Sequence, residues 1–159
     1  MHIQIVTVGK IKEKYLSAGI AEFTKRLTPF CKLQIVELAE EKMPDNPSAA
    51  EKAKTLEKEG ERIIKALRPA SYVILLDVIG KALSSEDLAE KLERLSVTGQ
   101  SDVTFIIGGA FGLSDAVRQA ADERISFSKM TFTHQMIRLL LVEQVYRAFK
   151  INRGEKYHL

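Results

Sequence analysis

Val103-Thr104-Phe105-Ile106-Ile107 runs directly into Gly108-Gly109-Ala110-Phe111-Gly112-Leu113. A short apolar run of this kind, cut off by glycines, has the length and composition of a strand covered on both faces, as in a parallel sheet. Ser114 follows as a helix cap, predicting a short helix to about Ala121. The segment therefore reads strand, tight turn, helix.

The same grammar repeats outward from it. Upstream, Tyr72–Leu76 is a second buried run, closed by Asp77, and Ser84-Ser85-Glu86-Asp87 opens a helix with a capping box and the stripe Leu88, Leu92, Leu95. Earlier still, Ile3, Ile5, Val6 and Val8 form a strand closed by Gly9. Leu16, Ile20, Phe23 and Leu27 recur at helical spacing until Pro29. Leu33, Ile35 and Leu38 alternate as a less apolar strand, expected nearer an edge. After a loop holding Pro44 and Pro47, Ala49, Ala53, Leu56, Ile63 and Leu67 mark a long charged helix that Gly60 is expected to interrupt and Pro69 to stop. Downstream, Ile125-Ser126-Phe127 is a short strand, and a last helix is expected from about His134 to Asn152, with Gly154 beyond it. Five strand-then-helix units predict an α/β fold of three layers, a mostly parallel sheet between helices, in one domain spanning 1–159. Periodicity does not encode the strand order.

Composition narrows the class. With 45% hydrophobic and 28% charged residues in 159, the chain is globular rather than disordered or low-complexity. Its longest apolar runs, Tyr72–Leu76 and Leu139–Val142, are too short to span a bilayer. The N-terminus shows neither a basic leader nor a cleavage signal, so a soluble cytoplasmic protein with no membrane attachment is expected. Cys31 is the single cysteine, and no metal-ligand spacing is present. Charge is unevenly placed: residues 124–159 hold seven Lys/Arg against two Asp/Glu, whereas 61–123 hold seven against ten. The C-terminal quarter is where a polyanion would dock, although a solvated positive helix end has the same composition.

Candidate chemistry gathers at three turns and one helix. In a parallel sheet the turns after Leu76, after Ile107 and after Phe127 share the carboxyl edge, where such folds bind small molecules. The Gly108–Gly112 turn is neither a dinucleotide fingerprint nor a phosphate loop. In the last helix, apolar nearly all round, Glu143, Gln144 and Arg147 fall within an arc of about 100°. They form either an i,i+4 ion pair or the lining of a site. Arg138 lies on another side. The tail Gly154–Leu159 carries Tyr157 and His158 among basic residues, suited to stacking and phosphate contact.

Taken together, Phe105–Leu113, Ser126–Gln135, Leu141–Ala148 and Tyr157-His158, with Val6–Lys12 and Leu76–Ser85, resemble the large-subunit rRNA pseudouridine N3-methyltransferases (the RlmH family) of the SPOUT superfamily. The likeness spans essentially the whole chain. It implies a C-terminal trefoil knot, a homodimer, S-adenosylmethionine (SAM) as methyl donor without a metal, and ribosomal RNA on the ribosome as substrate. By position it assigns cofactor binding to Leu76, Gly108, Phe127, Ser128, Lys129, Met130, Thr131 and Phe132. Three positions depart from the family pattern: Thr133 stands where Pro is common before His, Val78 where a polar residue is usual, and Leu159 where a basic residue often ends the chain.

The implied reaction removes the imide proton of a pseudouridine and alkylates N3. Glu143 or His158 is expected to take the proton, Arg147 to orient Glu143 or stabilise the anion, and Tyr157 to stack on the base. Arg138, Arg153 and Lys156 are expected to contact phosphates. Two rivals are an NAD(P)-dependent oxidoreductase using the Gly108–Gly112 turn, and a ribosome-binding protein without catalysis.

Overall fold

In a computed structural model describing residues 1–159, five strands and five helices alternate. They are β1 (His2–Val8), α1 (Lys14–Leu27), β2 (Lys32–Leu38), α2 (Ala49–Ala66), β3 (Tyr72–Ala82), α3 (Ser85–Val97), β4 (Asp102–Ile107), α4 (Asp115–Ala120), β5 (Glu123–Ser126) and α5 (Met136–Asn152). The sheet is wholly parallel, in the order β2-β1-β4-β3-β5. The less apolar β2 is indeed an edge strand, as its composition predicted.

Strand alternation divides the interior in two. Ile3, Ile5, Ile74, Val103, Phe105 and Ile107 face one side, where Leu88, Leu92, Leu141, Val142, Val145 and Ala148 cover them. Val6, Val8, Val73, Leu75 and Ile106 face the other, under Ile63 of α2 and Val117 of α4. Burial on both faces accounts for the apolar run Tyr72–Leu76 in β3 and for the largely apolar β1 and β4, whose Gln4, Thr7 and Thr104 are buried as well. Ser48 with Glu51, and Ser84 with Asp87, form reciprocal capping boxes that start α2 and α3.

Four details correct the sequence reading. Gly60 does not interrupt α2, which runs through it; a Cβ there would come 2.4 Å from Ser114 Oγ, so this glycine lets α4 pack closely on α2. Strand β3 continues past Leu76 to Ala82. Both Leu76 and Lys81 pair with Ile125, so Asp77–Gly80 bulges away from β5, and the strand resumes where Gly80 lies against the Ile125 backbone. Strand β5 is Glu123–Ser126, leaving Phe127 just outside it.

Finally, Arg138 is not a phosphate contact. It is 1% exposed, with Nη2 donating to Val8 O and Gly9 O at 2.9 Å each and Nη1 to Glu37 Oε2 at 3.0 Å. Burial pushes its pKa down, against the opposing pull of Glu37. Its task is to fasten the start of α5 to the end of β1. The segment between β5 and α5 thus crosses from an edge strand to a central one over the carboxyl ends of β3 and β4. From there α5 packs against both α1 and α3.

Candidate active site: a cavity and a separate acid–base cluster

The bulge within β3 and the turns after β4 and β5 do meet. They enclose a cavity of about 430 Å³ whose walls include Leu76, Gly108, Phe127, Ser128, Met130, Thr131 and Phe132. Seven of the eight residues assigned to cofactor binding therefore line one space. Lys129 is exposed and is not part of the wall.

Each wall has a local cause. Gly108 is required sterically: a Cβ there would stand 2.8 Å from Leu113 Cγ and 3.0 Å from Gly112 O. Gly112 adopts φ 92°, which closes the turn. Ser126 Oγ donates to Ser128 O at 2.9 Å, and Ser128 Oγ accepts from Met130 N at 3.0 Å, so the β5–α5 loop is folded by its own serines. Thr133 Oγ1 accepts from Met136 N at 3.1 Å and so holds the turn that leads into α5. His134 also lines the cavity, and burial, with Arg138 nearby, lowers its pKa. Val78 and Met130 are exposed at the rim.

Sequence reasoning missed Asp77 and Arg118 in the wall. Asp77 closes the apolar run Tyr72–Leu76 and falls in the turn expected at the binding edge, but nothing in that pattern marks its side chain. Arg118, on a six-residue helix remote in sequence, gave no signal.

The four residues assigned to chemistry also come together, elsewhere. Glu143 Oε1 accepts from Arg147 Nη2 at 2.5 Å and from the Tyr157 hydroxyl at 2.9 Å, and Oε2 accepts from Gln144 Nε2 at 3.0 Å. Arg147 Nη1 lies 3.1 Å from His158 Nδ1. A guanidinium only donates, so Nδ1 accepts and the imidazole hydrogen sits on Nε2, which donates to Glu86 Oε1 at 2.6 Å. The Tyr157 hydroxyl is held above its ordinary pKa by burial first, then by Glu143. The tail is thus pinned rather than frayed: the Tyr157 ring packs edge-on against Tyr146 at 4.8 Å, and the Arg147 guanidinium lies 4.8 Å from its centroid.

None of these four residues lines the cavity. A smaller recess between Ser84–Ser85, Leu140 and Gln144 shares Ile125, Phe127 and Phe132 with it. There Ser85 Oγ donates to Gln144 Oε1 at 2.7 Å. Arg153 and Lys156 are exposed on the same end of the molecule, with Arg153 over the Phe30 ring at 4.4 Å. No helix is long and apolar enough to cross a membrane.

Comparison with known proteins bears on this arrangement. A family model described as "Predicted SPOUT methyltransferase" matches residues 1–158. The ribosomal RNA large subunit methyltransferase H of Bacillus pumilus is 55% identical over 158 residues, 99% of each chain. That of Pelotomaculum thermopropionicum is 54% identical over 157 residues, 99% of this chain and 98% of its own. Among solved structures, the tRNA (m1G37) methyltransferase of Aquifex aeolicus superimposes with a TM-score of 0.54 at 12% identity, covering 91% of this chain and 69% of that one. At that identity the likeness concerns the fold. The family match over residues 1–158, with full-length identity above one half to these relatives, establishes that this chain belongs to the SPOUT methyltransferase family.

Proposed function

We propose that this protein transfers a methyl group from SAM to N3 of a pseudouridine in large-subunit ribosomal RNA. The carrying observation is the cavity where the β3 bulge meets the ends of β4 and β5, lined by seven of the eight residues that the family resemblance assigns to the cofactor.

The donor set suits SAM. Backbone groups of Gly108 and of Phe127–Phe132 offer donors and acceptors for the polar edge of an adenine. Leu76, Ile107 and Phe127 supply apolar surface for a flat ring. The one permanent cation in the wall, Arg118, is paired with Asp77, so no surplus positive charge opposes a sulfonium. The same wall is poor in donors for a dinucleotide's phosphates, which disfavours the oxidoreductase rival. When bound, SAM supplies an electrophilic methyl on sulfur.

The protein's own contribution begins with the acceptor proton. Glu143 takes the hydrogen from N3, since His158 has its Nδ1 lone pair on Arg147 and its hydrogen on Glu86, and Arg147 stands beside the imide anion that results. The carboxylate of Glu143 holds three donors, leaving about one of its four lone-pair sites for a further partner. For well-oriented reactants alignment is worth up to about 7–11 kcal/mol, and a general base adds about 10²–10⁴-fold.

Cavity and cluster are separate within one chain, so the reading includes a homodimer in which the cluster of one subunit serves the cavity of the other. The trefoil knot belongs to the same reading. It is supported by the path of residues 127–135 over the ends of β3 and β4 before α5 packs on α1 and α3. So do the assembled ribosome as docking surface, given only a modest local excess of cations, and a cytoplasmic location.

The test is transfer of labelled methyl from SAM to ribosomes lacking the modification, followed by mapping of the labelled nucleotide. Label at N3 of a large-subunit pseudouridine is expected. Ribosome binding with no transfer favours the non-catalytic rival, and label on transfer RNA alone overturns the assigned substrate.

A further inference from the structure

Arg118 belongs neither to the cofactor-binding residues assigned above nor to the acid–base cluster, yet its side chain forms part of the cavity wall. From α4, Nε donates to Asp77 Oδ2 at 3.3 Å and Nη1 donates to Leu113 O at 3.0 Å. Asp77 starts the bulge that ends the first limb of β3, and Leu113 closes the glycine turn after β4. One guanidinium therefore bridges two of the three crossings that enclose the cavity.

The bridge is anchored at both ends. Asp77 Oδ1 accepts from Ile79 N at 3.3 Å, so the carboxylate also shapes the bulge in which it sits. Its side chain is only 12% exposed, so this pair is less screened than an ordinary surface one. Asp115 Oδ1, 3.5 Å from Nη1, steadies the guanidinium from its own helix. Nothing in the protein bonds Nη2. Asp77 and Arg118 are the only Asp, Glu, Lys or Arg in the wall.

We infer that Arg118 is a positioning residue for the cofactor cavity: through Asp77 and Leu113 it sets the spacing between the β3 exit and the glycine turn. This rests on the cavity being the SAM site. The role demands the planar fork of arginine, because a lysine ammonium on a flexible stem does not hold a carboxylate and a carbonyl in fixed relation. It predicts that Arg118 governs cofactor affinity while leaving proton removal, carried by a different cluster, untouched.

The experiment is calorimetric titration of the full-length protein with S-adenosylhomocysteine, well below the melting midpoint of every variant, with kcat and KM measured in parallel. Arg118→Met is expected to weaken binding about tenfold or more, as loss of hydrogen bonds involving charged groups implies. KM for SAM should rise in step, with kcat little changed. Arg118→Lys should fail to restore affinity, and Asp77→Asn combined with Arg118→Met should bind no more weakly than Arg118→Met alone, since both remove one bridge. A variant that melts lower but binds like the unaltered protein overturns the inference and leaves Arg118 a helix anchor. So does full rescue by lysine, or additive losses in the double variant. Failure of the unaltered protein to bind would instead defeat the SAM reading itself.

Discussion

The carboxyl edge of the sheet and the C-terminal half of α5 solve opposite problems. At the edge, turns do the work: Gly108, Gly112 and the serine-folded loop after β5 shape a cavity with backbone, apolar surface and a single charge pair. On α5, side chains do it: Glu143, Arg147, Tyr157 and His158 form a connected acid–base network. The edge can receive a ligand but holds no connected acid–base network; the helix holds that network but encloses no comparable space. A methyl transfer needs both, and a single chain keeps them apart.

The division should be visible in mutant kinetics. Glu143→Gln is expected to lower kcat about 10²–10⁴-fold, the range for a lost general base, while calorimetric affinity for S-adenosylhomocysteine stays unchanged. Gly108→Val should do the converse, abolishing measurable binding, because its side chain would occupy the space of Leu113 and the Gly112 carbonyl. Equal loss of binding in both variants would dissolve the distinction.

Next in size is the joint between the two regions. Replacing Arg138 by alanine leaves Val8 O, Gly9 O and the partly exposed Glu37 without their donor, and each buried carbonyl so orphaned costs about 1–3 kcal/mol. Denaturant unfolding measures it. Gly80→Ala places a Cβ 2.7 Å from the Ile125 backbone and should cost about 1–3 kcal/mol, the usual range for overpacking.

The smallest effect is a pH dependence. His134 at the cavity has a pKa below its ordinary 6.5 because burial, and then Arg138, disfavour its charged form. The unfolded chain therefore binds the proton first as pH falls, so the stability due to neutral His134 is complete above about 6.5 and is lost as pH drops toward the lowered folded value. Thermal melts from neutral to mildly acidic pH should show a steeper decline for the unaltered protein than for His134→Asn.

Much of this was written locally. Apolar runs announced central strands, Ser84 and Ser114 announced capped helices, and the weaker pattern of β2 announced an edge. The turns at one rim followed from parallel pairing alone. What periodicity could not carry was anything decided by contact across the sheet. Arg138 looks like a surface cation until its partners at β1 are known, and Gly60 looks like a helix breaker until α4 is laid against it. The tail's docking depends on Tyr146 and Glu86, 11 and 71 residues before Tyr157. The Asp77–Arg118 bridge spans 41 residues between elements that sequence patterns treat separately.

In the proposed homodimer, two halves of one site meet across a subunit boundary. Mixed dimers of Glu143→Ala and Gly108→Val chains put it directly at risk, since each parent has one dead half. Methyl transfer to ribosomes should reappear in the mixture, from the intact cavity of one chain served by the intact cluster of the other. If mixed dimers form and remain as inactive as both parents, the halves do not combine across the boundary and the account is wrong.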